Sequence, residues 1–340
     1  MTGTQNTTGR GPGTARQRKL LAGRKFLWAY VRSMRLYYAF ITGIAGWIGV
    51  AFSRWLYPEA TSLPTAGLIL LILFLSWGVN QIINDYLGLA EDRINAPRRP
   101  MVTGELSPPA ALAVSLLLIA ASLVVTWFLS PWALIPLLLG TGLNVVYEYA
   151  KGVPVLGNVV FGVMIATCSA YGYLATAPPL DVVFTASRLS VLFLVALMNG
   201  LMTYYTYFKD YYGDKLSGKV TAVVLQGIRR SRITAIASSF LPSIALWVFL
   251  GVGWIDVEPN DVFIFLFVMT LFLQIWTGVL YYRHPTGPKA YYSLVTNFRA
   301  CTCGQVMLIA LFHPTLALYL YIATYVFVGF LFGLHGDANA

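Results

Sequence analysis

The chain is 340 residues long, 58% hydrophobic and only 11% charged, with a formal net charge of +10. A soluble domain carries about 25% charged residues, so bulk water is not the main solvent of this chain and no soluble second domain is left over. The positive balance invites a nucleic-acid partner, but the cations are distributed by membrane topology instead, which excludes that class.

In chain order, residues 1–25 are rich in Gly, Thr and Arg and lack the apolar core of a secretory signal, which predicts a disordered basic cytoplasmic tail. The absence of any acid before Glu59 leaves an organellar transit peptide as the alternative. Crossing a ~30 Å hydrocarbon core takes ~20 apolar residues. Windows of that kind fill the rest of the chain, near 36–53, 65–87, 108–129, 131–148, 154–178, 189–208, 232–254, 261–282 and 305–333. The expected fold is therefore an all-α membrane protein of nine transmembrane helices around a central cavity, one domain over 26–335. Pro108–Pro109, Pro131, Pro178–Pro179 and the 285–288 stretch punctuate the breaks.

With nine crossings the termini fall on opposite sides. Every Lys and Arg except Arg54 and Arg188 then lies on the N-terminal side, in the segment before the first span or in the 2–3, 4–5, 6–7 and 8–9 connections. By the positive-inside rule the N-terminus and those connections are cytoplasmic and the C-terminus is on the opposite side. Cys168, Cys301 and Cys303 show no metal-ligand spacing with His284, His313 or His335 and are read as packing residues.

Acids beside membrane helix ends are costly to desolvate, so each cluster marks a candidate site. The first cluster closes the second span and includes Asn80, Asn84, Asp85, Gly88, Glu91, Asp92 and Arg98–Arg99; the second closes the sixth and includes Lys209, Asp210, Tyr211, Asp214, Lys215 and Lys219. Residues three, four or seven apart share a helix face, which groups Asn84 with Gly88 and Glu91, Asp85 with Asp92, and Asp210 with Asp214. Hard oxygen ligands on two faces with bases beside them suit Mg²⁺ bridging a diphosphate. Lys151, Lys209, Lys215, Lys219, Arg98 and Arg99 are the bases that would neutralise the remaining phosphate charge, with Arg98, Lys151 and Lys215 the candidates for direct contact. The bland alternative is a set of solvated loop charges. Asn80 and Asn199, inside apolar spans, are either interhelical bonds or substrate contacts. Glu148 is a candidate proton acceptor.

At these residues the chain resembles the UbiA family of intramembrane prenyltransferases. Asn84–Asp85, Asp92, Asn95-Ala-Pro97-Arg98-Arg99-Pro100 and Thr103–Gly104 follow the family's first motif in order, and Asp210, Asp214, Gly218 and Thr221 follow its second. Tyr147, Lys151 and Gly157–Asn158 are similar to the segment between them. One departure stands out: four residues after Asn84, where the family usually has its middle Asp, this chain has Gly88, so that either Asp85, Glu91 or Asp92 supplies the missing oxygen or one metal site is weakened.

The resemblance implies Mg²⁺-dependent transfer of an isoprenoid chain from an allylic diphosphate to a hydrophobic or aromatic acceptor in the bilayer. It implies Asp85, Asp92, Asp210 and Asp214 as catalytic acids, metal-binding together with Asn84. It also implies substrate contacts at Asn80, Asn84, Arg98, Tyr147, Lys151, Lys209, Tyr211 and Lys215. Tyr204, Tyr205, Tyr207, Phe208, Tyr211 and Tyr212 crowd the second motif and are either packing residues or faces for a carbocation. A cyclase acting on the same diphosphate without an acceptor and, from another class, a transporter of cations or organic phosphates are the alternatives.

Overall fold

The structure, a computed structural model, describes residues 15–59, 61–179 and 185–334, which are helical with no strand among them. The helices are α1 (Ala15–Ser33), α2 (Ala39–Leu56), α3 (Leu63–Leu87), α4 (Leu89–Asn95), α5 (Pro100–Thr103), α6 (Pro108–Leu129), α7 (Leu134–Ala150) and α8 (Leu156–Leu174). They continue with α9 (Ala186–Leu216), α10 (Ala222–Ser238), α11 (Leu241–Gly251), α12 (Asp261–Arg283), α13 (Ala290–Ile309) and α14 (Pro314–Leu334). Among the described residues nine helical segments are long and apolar enough to cross a membrane.

Local chemistry sets their ends. Ser62 accepts from the Thr65 amide at the start of α3, with Pro64 behind it, and Asn260 accepts from the Phe263 amide at the start of α12. In a bilayer, close contact rather than escape from water holds helices together. The α2–α8 pair illustrates this. A Cβ added to Gly172 would lie 2.1 Å from the Gly46 carbonyl oxygen, and one on Gly49 would lie 2.0 Å from that of Ser169, so the two backbones meet where only glycine fits. Helix α8 also packs on α7 and α9, and these helices with α3 enclose the central cavity.

Two expectations change. The tail expected over 1–25 is helical from Ala15, where good helix formers follow one another, while residues 1–14 lie outside the described residues. The single ninth span expected over 305–333 is instead the end of α13, a turn at 310–313, and α14.

Helix α13 is buried among α2, α9, α12 and α14. Its Arg299, expected in a connection, lies inside the helix, donates from Nε to the Tyr325 carbonyl and stacks 4.2 Å from that ring. At the start of α14, His313 Nε2 is 3.1 Å from the Ala51 carbonyl oxygen. At its end, Phe332 lies 5.3 Å from the ring of Tyr37. The last helix thus returns to the end of the bundle that carries Arg35, and Leu334 sits there rather than at the opposite end. Residues 335–340 lie outside the described residues. Cys301 and Cys303 are buried and Cys168 half-buried, all free thiols in the packing.

Candidate active site

A cavity of about 250 Å³ opens at the end of the bundle where α3, α7 and α9 finish. Asn80, Asn84 and Gly88 step up one wall at one-turn intervals, and Asp210 and Asp214 do so on α9. Asn84 donates from Nδ2 to Asn144 Oδ1 at 2.9 Å, and Asn144 donates to the Asn80 carbonyl at 3.2 Å. With Asn80 donating from Nδ2 to the Ser76 carbonyl, the amide donors are spent and the Oδ1 atoms of Asn84 and Asn80 stay buried without a hydrogen-bond partner at the cavity wall. Buried acceptors in that state are unfavourable unless a cation or donor completes them.

The acids fall into three groups. Asp85, 2% exposed, accepts from Arg35 at 2.6 Å and lies 3.5 Å from Arg99, which also pairs with Asp92. Arg35 is held for this contact in a left-handed conformation, φ 48°, that a non-glycine residue rarely adopts. Glu91 and Glu148 pair with Lys219 and Lys151 respectively, with Lys151 also 3.5 Å from Glu91. Asp210 has only a loose contact with Lys209, at 3.6 Å, and Asp214, 7% exposed, makes no ion pair among the described residues. A nearly buried carboxylate that Lys219 and Lys151 reach only through space, with no ion pair of its own among the described residues, is a strong candidate to hold a cation.

Lys219 owes its place to the end of α9. Gly218, at φ 78°, ends the helix in the left-handed region and the Lys219 amide donates back to the Asp214 carbonyl at 2.9 Å, a Schellman turn that brings the next side chain back over the site. Burial works most strongly against the charge on Lys151, yet the Glu148 and Glu91 carboxylates and its hydrogen bonds together outweigh it, and its pKa stands above the usual lysine value. Lys219, buried beside Lys151, is pushed below that value.

Of the residues expected from sequence, Asn80, Asn84, Asp85, Asp92, Tyr147, Lys151, Lys209, Asp210 and Asp214 line the cavity. Arg98 and Lys215 are exposed and, with Tyr211, lie off its wall: Tyr211 and Lys215 each sit one helical step round from an acid of α9 that faces it, and Arg98 lies in the turn between α4 and α5 next to Arg99, which does line it. Arg35, Arg99, Glu91, Glu148 and Lys219 take up the charge balance instead. The stretch Asn95–Pro100 signalled a base without deciding between Arg98 and Arg99. Asn199 bonds to the Val195 carbonyl and accepts from Cys301, so it packs helices together. Asn158 likewise ties α8 to the Gly200 carbonyl of α9.

Below the acids the wall turns aromatic. Tyr38 stacks on Phe298 at 4.7 Å and meets Trp77 edge-on at 5.4 Å, and Trp77 and Tyr147 both touch Phe161. Of the tyrosines crowding the second motif only Tyr207 lines the cavity; Tyr204, Tyr205 and Phe208 pack with Ala235 and Tyr281. The far end is closed by Ile72, Leu137, Cys168 and Tyr171. From Asn84 to Ile72 along α3 is about 18 Å at 1.5 Å per residue. The cavity is therefore charged at its mouth, aromatic at its waist and apolar at its base, which fits an amphiphile with an anionic head.

Fold and cavity together define a membrane-embedded site for such a molecule. The sequence profile of the UbiA prenyltransferase family matches residues 39–301. The chain is 28% identical over 241 residues to digeranylgeranylglyceryl phosphate synthase of Thermococcus kodakarensis, covering 68% of this chain and 83% of the relative. It is 28% identical over 245 residues to the protein of the same name from Pyrococcus abyssi, covering 69% and 84%. The apo UbiA homolog of Aeropyrum pernix superposes with a TM-score of 0.65 at 17% identity, covering 84% of this chain and 98% of that one. The UbiA homolog of Archaeoglobus fulgidus bound to GPP and Mg²⁺ does so with a TM-score of 0.59 at 18% identity, covering 82% and 99%. The chain belongs to the UbiA prenyltransferase family. It is a multi-pass membrane protein and a prenyltransferase.

Proposed function

We propose that this prenyltransferase moves an isoprenoid chain from an allylic prenyl diphosphate to the hydroxyl of a glyceryl phosphate lipid, with its catalytic mouth on the cytoplasmic side. The reading rests on one observation: acids and lysines at the mouth stand directly above an aromatic and then apolar shaft about 18 Å deep. The names of the Thermococcus and Pyrococcus relatives support the acceptor class. The weight of Lys and Arg at that end supports the orientation.

The residues fit Mg²⁺. Among the described residues no three His, Cys, Asp or Glu side chains form a ready-made cage. That suits an ion which keeps waters and takes one or two protein carboxylates plus phosphate oxygens. Asp210, Asp214 and the unpartnered Oδ1 of Asn84 are the donors assigned to it. When bound, Mg²⁺ stabilises the charge that develops on the departing diphosphate. Lys151, Lys209 and Lys219 neutralise the remaining phosphate charge. Asp85 and Asp92 act one step back, holding Arg35 and Arg99 in the wall.

The allylic C–O bond breaks with its electron pair leaving on the diphosphate. The acceptor hydroxyl then forms the new C–O bond and gives up its proton to the departed diphosphate. Between these events the allylic carbon is cationic. Tyr38, Trp77, Tyr147 and Phe161 present ring faces and exclude water at that depth.

The test is incubation of the purified protein in nanodiscs with Mg²⁺ and geranylgeranyl diphosphate, with glyceryl phosphate, geranylgeranylglyceryl phosphate or aromatic acids. An ether lipid formed only with the glyceryl phosphates, and abolished by EDTA, is the expected product. Prenylated aromatics only, or cyclic hydrocarbon without acceptor, would overturn the acceptor assignment. A second expectation concerns the shaft: Cys168→Phe fills its base. Its kcat/KM for geranylgeranyl diphosphate is expected to fall at least about tenfold relative to that for geranyl diphosphate. An unchanged ratio would mean the chain does not reach Cys168.

A further inference from the structure

We infer that Glu148 supplies, from α7, the carboxylate that position 88, the C-cap of α3, lacks, so that the diphosphate-metal site is completed from the facing helix. Two helices in fixed register carry the argument. Asn144 bonds to the Asn80 carbonyl and to the Asn84 side chain, at 3.2 Å and 2.9 Å, which locks this turn of α7 against this turn of α3. One turn further on both helices, Glu148 faces Gly88. A Cβ at Gly88 would lie 3.1 Å from Glu148 Oε1 and 3.6 Å from its carboxyl carbon. The glutamate head therefore occupies the space that a side chain at 88 would enter.

Position 88 follows Asn84 by one turn on the cavity wall, so the carboxylate lies about one turn along from Asn84, whose Oδ1 is unpartnered, on the same cavity as Asp210 and Asp214. Glu148 is only 9% exposed, paired with Lys151 and 3.8 Å from Lys219. Glu91 and Glu148 with Lys151 and Lys219 form a balanced quartet. An arriving diphosphate competes for the two ammonium groups and so leaves the two carboxylates for a cation. Space and charge make the two arrangements mutually exclusive: an aspartate at 88 beside a glutamate at 148 would crowd two carboxylates into one position. A glycine at 88 is thus the partner of a glutamate at 148, and the missing motif acid is relocated rather than lost.

The inference rests on the cavity being a diphosphate-metal site, and the experiment separates the two. Mn²⁺ binding in the presence of inorganic diphosphate is read by electron paramagnetic resonance on the full chain in nanodiscs, with size-exclusion profiles as the check on folding. Glu148→Gln is expected to weaken Mn²⁺ binding at least about tenfold, and Gly88→Asp combined with Glu148→Gln to restore it to within a few-fold of the parent. Gly88→Asp alone is expected to bind worse than the double variant. Recovery in the double variant is decisive by itself, since of the facing positions 88 and 148 only 88 then carries an acid. Unchanged binding in Glu148→Gln, or no recovery in the double variant, overturns the role of Glu148. Unchanged binding in Asp210→Asn as well overturns the site reading beneath it.

Discussion

Asp214→Asn is expected to lower product formation by about 10²–10³-fold, the cost of removing one group that stabilises developing charge in a dry site, while leaving the protein at least as stable as the parent. The two halves of the expectation share one cause. Asp214 is 7% exposed and has no ion pair among the described residues, so its charge is held at a cost in the ligand-free protein. Asparagine has the same shape without the charge and relieves that cost. If Asp214 were merely structural, its loss would lower stability and activity together. Asp210→Asn is expected to behave alike in activity, with a smaller gain in stability because Lys209 lies 3.6 Å away. Product formation with geranylgeranyl diphosphate and the thermal midpoint in detergent are the two readouts. A variant that keeps parental turnover would remove Asp214 from the reaction.

The lipid-facing helices were legible because a bilayer imposes one requirement on every crossing, an apolar run of sufficient length. Helix α13 escaped that test because α14 covers it. With protein on its sides it carries Asn297, Arg299, Thr302 and Gln305 along its length, and the sequence then shows a polar connection where there is a buried helix. Missing it also reversed the side on which the last helix ends.

The site shows the same division. The spacing of Asp210 and Asp214 declares a shared face because both lie on one helix. No spacing declares that Arg35 reaches Asp85 across fifty positions, or that Glu148 meets Gly88 from another helix. Lys219 was one of several equivalent bases until the left-handed Gly218 turned the chain back over Asp214. What the sequence displays is chemistry within an element; partners across elements follow only from packing.

That distinction gives the motif acids different fates, and Arg99→Ala tests it. Arg99 pairs with Asp92 and lies 3.5 Å from Asp85, whose side chain is 3% exposed. Its removal leaves Asp92 without an ion pair and Asp85 with Arg35 as its one remaining ion-pair partner among the described residues. Breaking a buried pair from one side costs about 3–5 kcal/mol, because the remaining charge stays desolvated. A loss of that size in denaturation midpoints is expected, while Arg99→Met with Asp92→Leu, which removes both charges, recovers most of it.

The pH dependence of the deficit has a definite sign. Burial raises the Asp92 pKa above its usual value and the Arg99 guanidinium opposes this. Without Arg99 the native pKa rises further above that of the unfolded chain. The unfolded state then loses its proton first as pH rises, so the variant's deficit grows with pH and is smallest in acid. A deficit that widens in acid would mean that Asp92 is stabilised as a carboxylate by something other than Arg99. Parental stability at every pH would mean that the Arg99 contacts are surface pairs of no structural weight, and Asp85 and Asp92 would then be free to act on substrate directly.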